Sequence, residues 1–579
     1  MLKEVVVTAT RSETLANDLI SDVTVISRED IDSGVGRTVG ELLARVAGVK
    51  VASNGGLGKN SSVFIRGTEN RHVLLLVDGV RYGSATTGTP NFDTIALEVI
   101  ERIEVLKGPA SALYGSDAVG GVIQIFTRKG SAGFHPYASL TVGENDRAEV
   151  AAGLNGGTAD LNYAFGVQNL NEKGISATNP RVSFNGFNAD RDGLSQNSAY
   201  ASASWKVTDG WKLDGRALQS TGTSQFDNGA STFDARGEFE TQVFGLGLQG
   251  RLSAIWKSRI SVSSSTDKSS SFTSAVPSLF NTKQDQWTWQ NDVTTPVGVV
   301  VAGFDNLKET VSGTTAYTVD SRTTESVFAG LNGQAGAHSW QVNARQDHNS
   351  QFGDATTGLV GYGFKITPDL RAHASYGTSF KMPSFNTLYF PLTNGFQGNP
   401  TTQPETGKNT EIGVAYAVGT HQLSVTYYDN RIQGFITTTP VVTNTPFARI
   451  EGWTLAYEGE VGAWDYRTAV DFLDARNEAN NRKLQRRADI QLTANANYTV
   501  GDWKWGSSLL AATEAFDDAA NTKTLGGYGT VDVYTRYAVK KDWSVEGRIV
   551  NLGDKFYQTT MGYNQTGRSA YVTLRYQPK

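Results

Sequence analysis

From about residue 134 to the end of the chain, apolar and polar side chains alternate one by one. Leu161, Tyr163, Phe165 and Val167 fall on one side of such a segment, and Asn162, Ala164, Gly166 and Gln168 on the other. Trp205 and Val207 alternate with Ser204 and Lys206, and Trp543, Val545 and Ile549 with Ser544, Glu546 and Arg548. A period of two marks a β-strand, because successive side chains leave opposite faces. An apolar face with Trp and Tyr near its ends, backed by a face of amides and charges, suits a strand between lipid and a wet lumen. Short turns such as Asp209-Gly210 alternate with long polar stretches at 171–199 and 219–240. At about ten residues per tilted spanning strand and a similar mean connection, segment 134–579 supports on the order of 22 antiparallel strands.

The first 133 residues read differently. Ser27-Arg28-Glu29-Asp30 and Thr38-Val39-Gly40-Glu41 each place a hydroxyl three residues before an acid, the pattern of a capped helix start. Val63–Arg66, Val73–Val77, Arg102–Leu106 and Val122–Phe126 are apolar strand candidates, and Asp78-Gly79 is a hairpin dipeptide. Ile95–Ile100 reads as a helical turn. This predicts a small α+β domain over 13–133. A barrel of about 22 strands has a lumen too wide for side chains to fill. The expected fold class is therefore an all-β membrane barrel with an N-terminal α+β plug domain inside its lumen.

Composition narrows the function classes. The net charge of −5 provides no basic footprint for nucleic acid. There is no cysteine, and no run approaches the roughly 18 apolar residues of a spanning helix. No apolar leader precedes the first segment, so Met1 is read as an initiator on a mature sequence whose signal peptide has been removed. The six histidines are not paired at metal-ligand spacing, and no Gly-x-Ser-x-Gly setting or P-loop is present; the expectation is a non-enzyme.

A set of short motifs then follows in order. Glu4-Val5-Val6-Val7-Thr8-Ala9 is a β-prone stretch near the beginning, of the kind that can add as a strand to another protein's sheet. Phe64-Ile65-Arg66-Gly67, Val77-Asp78-Gly79-Val80, Ile103-Glu104-Val105-Leu106-Lys107-Gly108-Pro109, Ala112-Leu113-Tyr114-Gly115 and Ala118-Val119-Gly120-Gly121-Val122-Ile123 come next. Together they resemble the TonB-dependent outer-membrane transporters. Barrel segments such as Asn349–Gly353, Tyr376–Lys381, Gly398-Asn399-Pro400 and Asn551–Lys555 are similar to the cobalamin-transporting branch of that family.

The resemblance implies active import of cobalamin or a related corrinoid across the bacterial outer membrane by a monomer. Its implied partners are TonB with its inner-membrane energising complex, outer-membrane lipid and lipopolysaccharide. The alternative within the family is a ferric-siderophore receptor; a passive porin-like or adhesin-like barrel would need neither a plug nor a TonB box. By resemblance, residues 1–12 hold the TonB box (Glu4, Val5, Val6, Val7, Thr8 and Ala9), reachable at a free end of the chain. Two plug loops form the floor of the substrate site, with Asn54, Gly55, Leu57, Ser61 and Ser62 in one, and Tyr82, Ser84, Thr86, Thr87 and Asn91 in the other. Small residues admit a large ligand, and hydroxyls and amides meet a corrin's amide arms. Asp190, Asp192, Asp227 and Asp234 are implied calcium ligands in two outer loops, where a hard cation gathers carboxylate oxygens. Ser176 stands where a further acid is expected, and Arg191 adds an opposing charge.

Overall fold

In the computed structural model the described residues are 5–6, 8–15, 19–33, 38–183, 186–229, 233–393, 396–438 and 441–578. The periodic region closes into one antiparallel barrel from Gly133–Gly143 to Ser569–Tyr576, whose last strand pairs back onto its first. It has 22 long strands, with a two-residue strand, Arg482–Lys483, paired at one outer end. The alternation decides which face each side chain takes. Phe165, Val167 and Trp205 are about half exposed on the outside, whereas Ala164 and Gln168 are buried against the lumen contents. One rim carries a contiguous aromatic belt through Trp464, Tyr498, Trp505, Trp503 and Tyr537, with successive ring centroids 4.5 to 6.0 Å apart. Amphipathic rings of this kind settle at a membrane–water interface.

Connections on that rim are tight, such as 209–210, 336–337 and 419–420, and those on the other rim are mostly longer. Here the structure corrects the expected loop bounds. Strands run to Ile175 and resume at Asp192, and run to Gln225 and resume at Arg236, so the loops are 176–191 and 226–235. Polar side chains such as Asn169, Asn171, Asn197 and Thr223 continue the ladder beyond the lipid, where hydropathy alone gives no boundary.

The plug fills the lumen. Its sheet has the order Val23–Ile26, Ile100–Lys107, Gly121–Thr127, Val73–Val77, Val80–Arg81, with one parallel pairing between the third and fourth. Its core is a continuous aliphatic cluster that includes Leu43, Ile65, Leu75, Ile100, Ile103, Ile123 and Ile125, all at most 2 % exposed. At about 25 cal/mol per Å² of apolar surface, each such side chain contributes roughly 1.5–3 kcal/mol. Ser27 caps Arg28–Asp32 through a reciprocal capping box with Asp30, and Thr38 caps Val39–Leu43 by accepting from Glu41. Asp78 and Gly79 turn with φ of 49° and 83°. The helical turn expected over 95–100 shortens to one 3₁₀ turn, Leu97–Val99. Bonds to the wall come from all sides: Arg45 to Asp532, Gly48 to Asp471, Arg66 to Glu411, Tyr82 to Thr241 and Ser202 to Arg128. The last plug strand ends at Thr127 and the first barrel strand begins at Gly133.

Candidate functional site

Two ends of the plug carry the residues singled out in the sequence. At the outer end, loop 54–60 joins Val49–Ser53 to Ser61–Ile65, and a small hairpin pairs Gly83–Ser84 with Thr89–Pro90. Glycine is required in the first loop. Gly55 and Gly58 have φ of +128° and +75°, and a Cβ would stand 3.0 Å from Ala177 at the first and 2.8 Å from Leu194 at the second. The loop therefore lies directly on the barrel wall. Asn54, Ser61, Ser62, Ser84 and Asn91 are partly exposed, and Thr87 is exposed.

Four expected contact residues take other roles. Tyr82 is buried, its hydroxyl shared between Thr94 (2.7 Å) and Thr241 (2.6 Å). Thr86 is wholly buried, and its carbonyl accepts from the Asn386 N–H at 2.8 Å. Leu57 packs with Leu170 and Leu194, and Gly55 is covered by Ala177. These residues seat the loops instead of facing outward, because an aromatic ring, a methyl-bearing hydroxyl or an aliphatic chain placed against a packed wall is driven into it. The element that covers the hairpin was not anticipated. Helix Phe385–Tyr389, capped by Ser384, lies over it, with Phe385 fully buried beside Ala85 and Val311. Ser384-Phe385-Asn386-Thr387 is a readable N-cap signal. Loop 551–568 adds a second wall: Thr559 and Gln565 bond the backbone of Ser53, while Asn564 donates to the carbonyls of Ser176 and Thr178.

Beside this floor, Asp190, Asp192 and Asp227 each bring a carboxylate oxygen within 4.8 Å of the others. The loop backbone positions them. Ala177 N–H donates to Asp192 at 2.7 Å, Thr178 N–H donates to Asp227 at 3.0 Å, and the Thr178 hydroxyl also bonds Asp227. Asp227 Oδ1 is buried and meets no protein donor among the described residues. Burial, with the Asp190 carboxylate alongside, pushes Asp227 above the usual carboxylate range. Asp234 stands apart as the acceptor of a 2.9 Å bond from Gln225, which corrects its grouping with the other three. Arg191 turns away to Gly174 and Asp146, and the Ser176 hydroxyl donates to the carbonyls of Thr178 and Asn188. Lys59 of the plug is the neighbouring cation, directed at the Leu57 and Asp192 carbonyls (3.2 and 3.3 Å) and the Ser224 hydroxyl (3.1 Å). Burial lowers its ammonium to about 8 against the opposing pull of Asp192.

At the inner end, Glu4 and Val7 lie outside the described residues. Val5–Val6 pairs antiparallel with Thr14–Leu15. The free-end expectation is corrected for the rest of the segment: Thr8 and Ala9 are buried. Thr8 donates through its N–H and its hydroxyl to one oxygen of Glu104 (3.0 and 2.7 Å), and its carbonyl accepts from the Tyr114 hydroxyl at 2.9 Å. The wall holds it too, with Gln341 donating to the Ala9 carbonyl at 3.1 Å and Gln290 to the Arg11 carbonyl at 3.0 Å. Arg11 pairs with Asp305, itself bonded by Arg345. Glu104 was legible only as part of a motif; its role as acceptor depends on a contact 96 residues away in sequence.

Residues 16–122 match the TonB-dependent receptor plug domain, and residues 214–552 match the TonB-dependent receptor-like β-barrel. The chain is 33 % identical over 601 residues to the vitamin B12 transporter BtuB of Photobacterium profundum, covering 99 % of this chain and 95 % of that one. It is 30 % identical over 595 residues to the vitamin B12 transporter BtuB of Vibrio cholerae serotype O1, with the same coverage. Among solved structures, the siderophore receptor PirA of Acinetobacter baumannii superposes with a TM-score of 0.85 at 17 % identity, over 96 % of this chain and 98 % of that one. The ferric enterobactin receptor PfeA of Pseudomonas aeruginosa has a TM-score of 0.85 at 17 % identity, over 99 % and 100 %. At that identity the likeness speaks for the shared fold alone.

Proposed function

Since the chain belongs to the TonB-dependent receptor family, and so is a protein of the bacterial outer membrane, we propose that it imports cobalamin or a related corrinoid. The observation that carries this reading is the likeness to vitamin B12 transporters along almost the whole chain. The substrate lies on the outward plug face, on Asn54, Ser61, Ser62, Ser84, Thr87 and Asn91. That floor offers hydroxyls and amides, a match for a ligand ringed with amide arms. A ferric siderophore is the alternative substrate, and the solved neighbours favour it no further than fold.

Asp190, Asp192 and Asp227 fit a calcium ion, the first two from loop 176–191 with its following strand and the third from loop 226–235. A hard divalent cation there relieves the repulsion among three carboxylates and gives buried Asp227 Oδ1 a partner. Its effect is to order the two loops before substrate arrives. At the inner end, the TonB box, Glu4 to Ala9, is released after substrate binds and pairs as a strand with TonB, which draws on the inner-membrane energising complex. The test is equilibrium binding of cyanocobalamin, cobinamide, several ferric siderophores and haemin to the purified protein. Cyanocobalamin or cobinamide binding far above the others is the expected result; preference for a ferric siderophore overturns the substrate assignment and leaves the family intact.

A further inference from the structure

Four adjacent strands, Glu405–Val418, His421–Thr437, Thr443–Val461 and Trp464–Asn477, carry an ordered stack on their outward faces. Val414, Val425, Leu455 and Val470 lie in one cross-strand row, and Ile412, Tyr427, Trp453 and Phe472 in the next row outward. Ile412 and Trp453 are about half exposed, and the Tyr427 and Trp453 rings lie 4.9 Å apart, as expected where lipid chains give way to headgroups. Two residues further out, Thr410, Asp429, Glu451 and Asp474 pair in register, and beyond them Lys408, Arg431, Arg449 and Arg476.

That last row sets four cations directly opposite one another. Like charges in such positions, about 5 Å apart at Cβ, destabilise a sheet. The acidic row offsets part of the cost. Arg449 bonds Asp429 at 2.8 Å and Glu451 at 2.9 Å, Arg476 bonds Asp474 at 2.7 Å, and Arg431 bonds Glu478 at 3.1 Å. These contacts engage Nε and Nη2 of Arg449 and leave its Nη1 in no ion pair or hydrogen bond among the described residues; Lys408 is likewise in no ion pair among them. Arg431 and Arg449 are 54 % and 43 % exposed. Elsewhere on the outward face, Asn169, Asn197 and Thr221 stand in register and carry no charge.

We propose that Lys408, Arg431, Arg449 and Arg476 form a binding site for the phosphorylated headgroup of an outer-leaflet lipid. The inference rests on the outer-membrane location and is independent of the imported substrate. Guanidinium forks bind phosphate through paired charge-assisted bonds, and a row of them matches a headgroup with more than one phosphate. The acidic row holds Arg449 and Arg476, whose Nη1 also donates to the Asn481 carbonyl at 3.2 Å, while Arg431 is set by Glu478 and the Phe447 ring, 4.2 Å away; Lys408, the Arg449 Nη1 and the rest of the Arg431 fork remain for a ligand. The valines and leucine below give the same lipid's acyl chains a surface, and this selects a lipid over free phosphate.

Native mass spectrometry of the purified full chain in detergent, with a chelator present, tests the assignment. The ligands are bisphosphorylated lipid A, dephosphorylated lipid A and inorganic phosphate; the proteins are wild type and the combined Lys408→Gln, Arg431→Gln, Arg449→Gln, Arg476→Gln variant. Wild type should bind bisphosphorylated lipid A at least about tenfold more tightly than the dephosphorylated form, given about 1 kcal/mol per basic residue at an anionic surface. The variant, if heat-modifiable mobility shows a folded barrel, should lose that preference, and equimolar inorganic phosphate should not displace the lipid. Equal binding of the two lipid A forms by wild type overturns the proposal even if the variant fails to fold. So does displacement by inorganic phosphate, or a wild-type dimer that the variant dissolves without any lipid adduct, which would make the row an interface between two copies.

Discussion

The two ends of the plug are held in the barrel by different means. At the inner end, a short segment is gripped mainly through its backbone, with Glu104 and Tyr114 on one side and Gln341 and Gln290 on the other, and Asp305 holds the Arg11 side chain. At the outer end, two loops of small residues rest on the wall over a wide area, and outer loops fold down on them. A concentrated clamp can be released as a unit, because hydrogen bonds to a buried charge are worth roughly 1.5–3 kcal/mol each and are lost together. A diffuse seat has no single bond whose loss frees it, but it leaves hydroxyls and amides available to a ligand. In the proposed transport cycle the inner end changes partners and the outer end gains one.

The largest effect should come from breaking the inner end. Proline at position 6 removes the N–H that a paired strand needs and fixes φ. Val6→Pro should abolish energised uptake of labelled cobalamin while equilibrium binding stays within about twofold, since the floor lies at the other end of the plug. Uptake that survives would falsify the TonB-coupled role of this segment. Loss of binding along with uptake would instead show that the two ends are mechanically joined.

The second prediction uses the division within the outer hairpin. Thr87 is exposed, whereas Thr86 is wholly buried under helix Phe385–Tyr389. Thr87→Trp should therefore lower corrinoid affinity by about thirtyfold, roughly 2 kcal/mol of steric conflict, with an unchanged melting temperature. Thr86→Trp should destabilise the plug, because overpacking a filled contact costs about 1–3 kcal/mol. Titration and thermal unfolding of both variants decide it. An affinity unaffected by Thr87→Trp moves the site off this hairpin.

How much of this contrast was legible in the sequence follows from the range of the forces involved. The barrel and its strand number were legible because alternation is a local signal repeated along the chain. The capped helix starts at Ser27 and Thr38 and the Asp78-Gly79 turn were legible for the same reason. The two plug loops, over 53–62 and 82–92, were identified, yet Tyr82, Thr86 and Leu57 face inward, and the partners that decide this, Thr241, Asn386 and Leu194, are far away in sequence. Thr8 and Ala9 read as part of an accessible strand because nothing within ten residues shows that Glu104 and Gln341 will receive them. Asp190 and Asp192 share a local motif, while the separation of Asp234 from Asp227 depends on how loop 226–235 folds back.

Metal removal sharpens the outer end further. If calcium orders loops 176–191 and 226–235 in advance, part of the entropic cost of substrate binding is already met. Corrinoid affinity should fall about tenfold with chelator in wild type and should not respond to calcium in Asp190→Ala/Asp192→Ala. Asp234→Ala should keep the calcium response, because its carboxylate is bonded to Gln225 and stands outside the triad. Isothermal titration with and without calcium reads all three proteins. A wild-type affinity indifferent to chelator removes the ion from the account.

The smallest effect concerns the acid beneath the floor. Asp93 accepts from the Ser61 N–H and hydroxyl, both at 2.8 Å, and so anchors the start of the strand that follows loop 54–60. Burial raises it from 3.8 to about 6, against the pull of those two bonds and of Lys59. A carboxyl whose folded value is raised holds its proton longer in the folded state. Its contribution is therefore most favourable below about pH 4, falls as pH climbs through 4 to 6, and stays low above 6. The side chain is partly exposed, so solvent trims this penalty to about 1 kcal/mol. Asp93→Asn cannot ionise, and its lost acceptor costs the same at every pH. Plug stability of the variant relative to wild type, followed by thermal unfolding, should thus move in the variant's favour by about 1 kcal/mol between pH 4 and pH 7. A difference that stays flat, or that moves toward wild type as pH rises, would show that Asp93 is already ionised and well solvated in the folded plug. The outer floor would then rest on an ordinary charge-assisted bond, and its contrast with the Glu104 clamp at the inner end would reduce to the number of bonds at each.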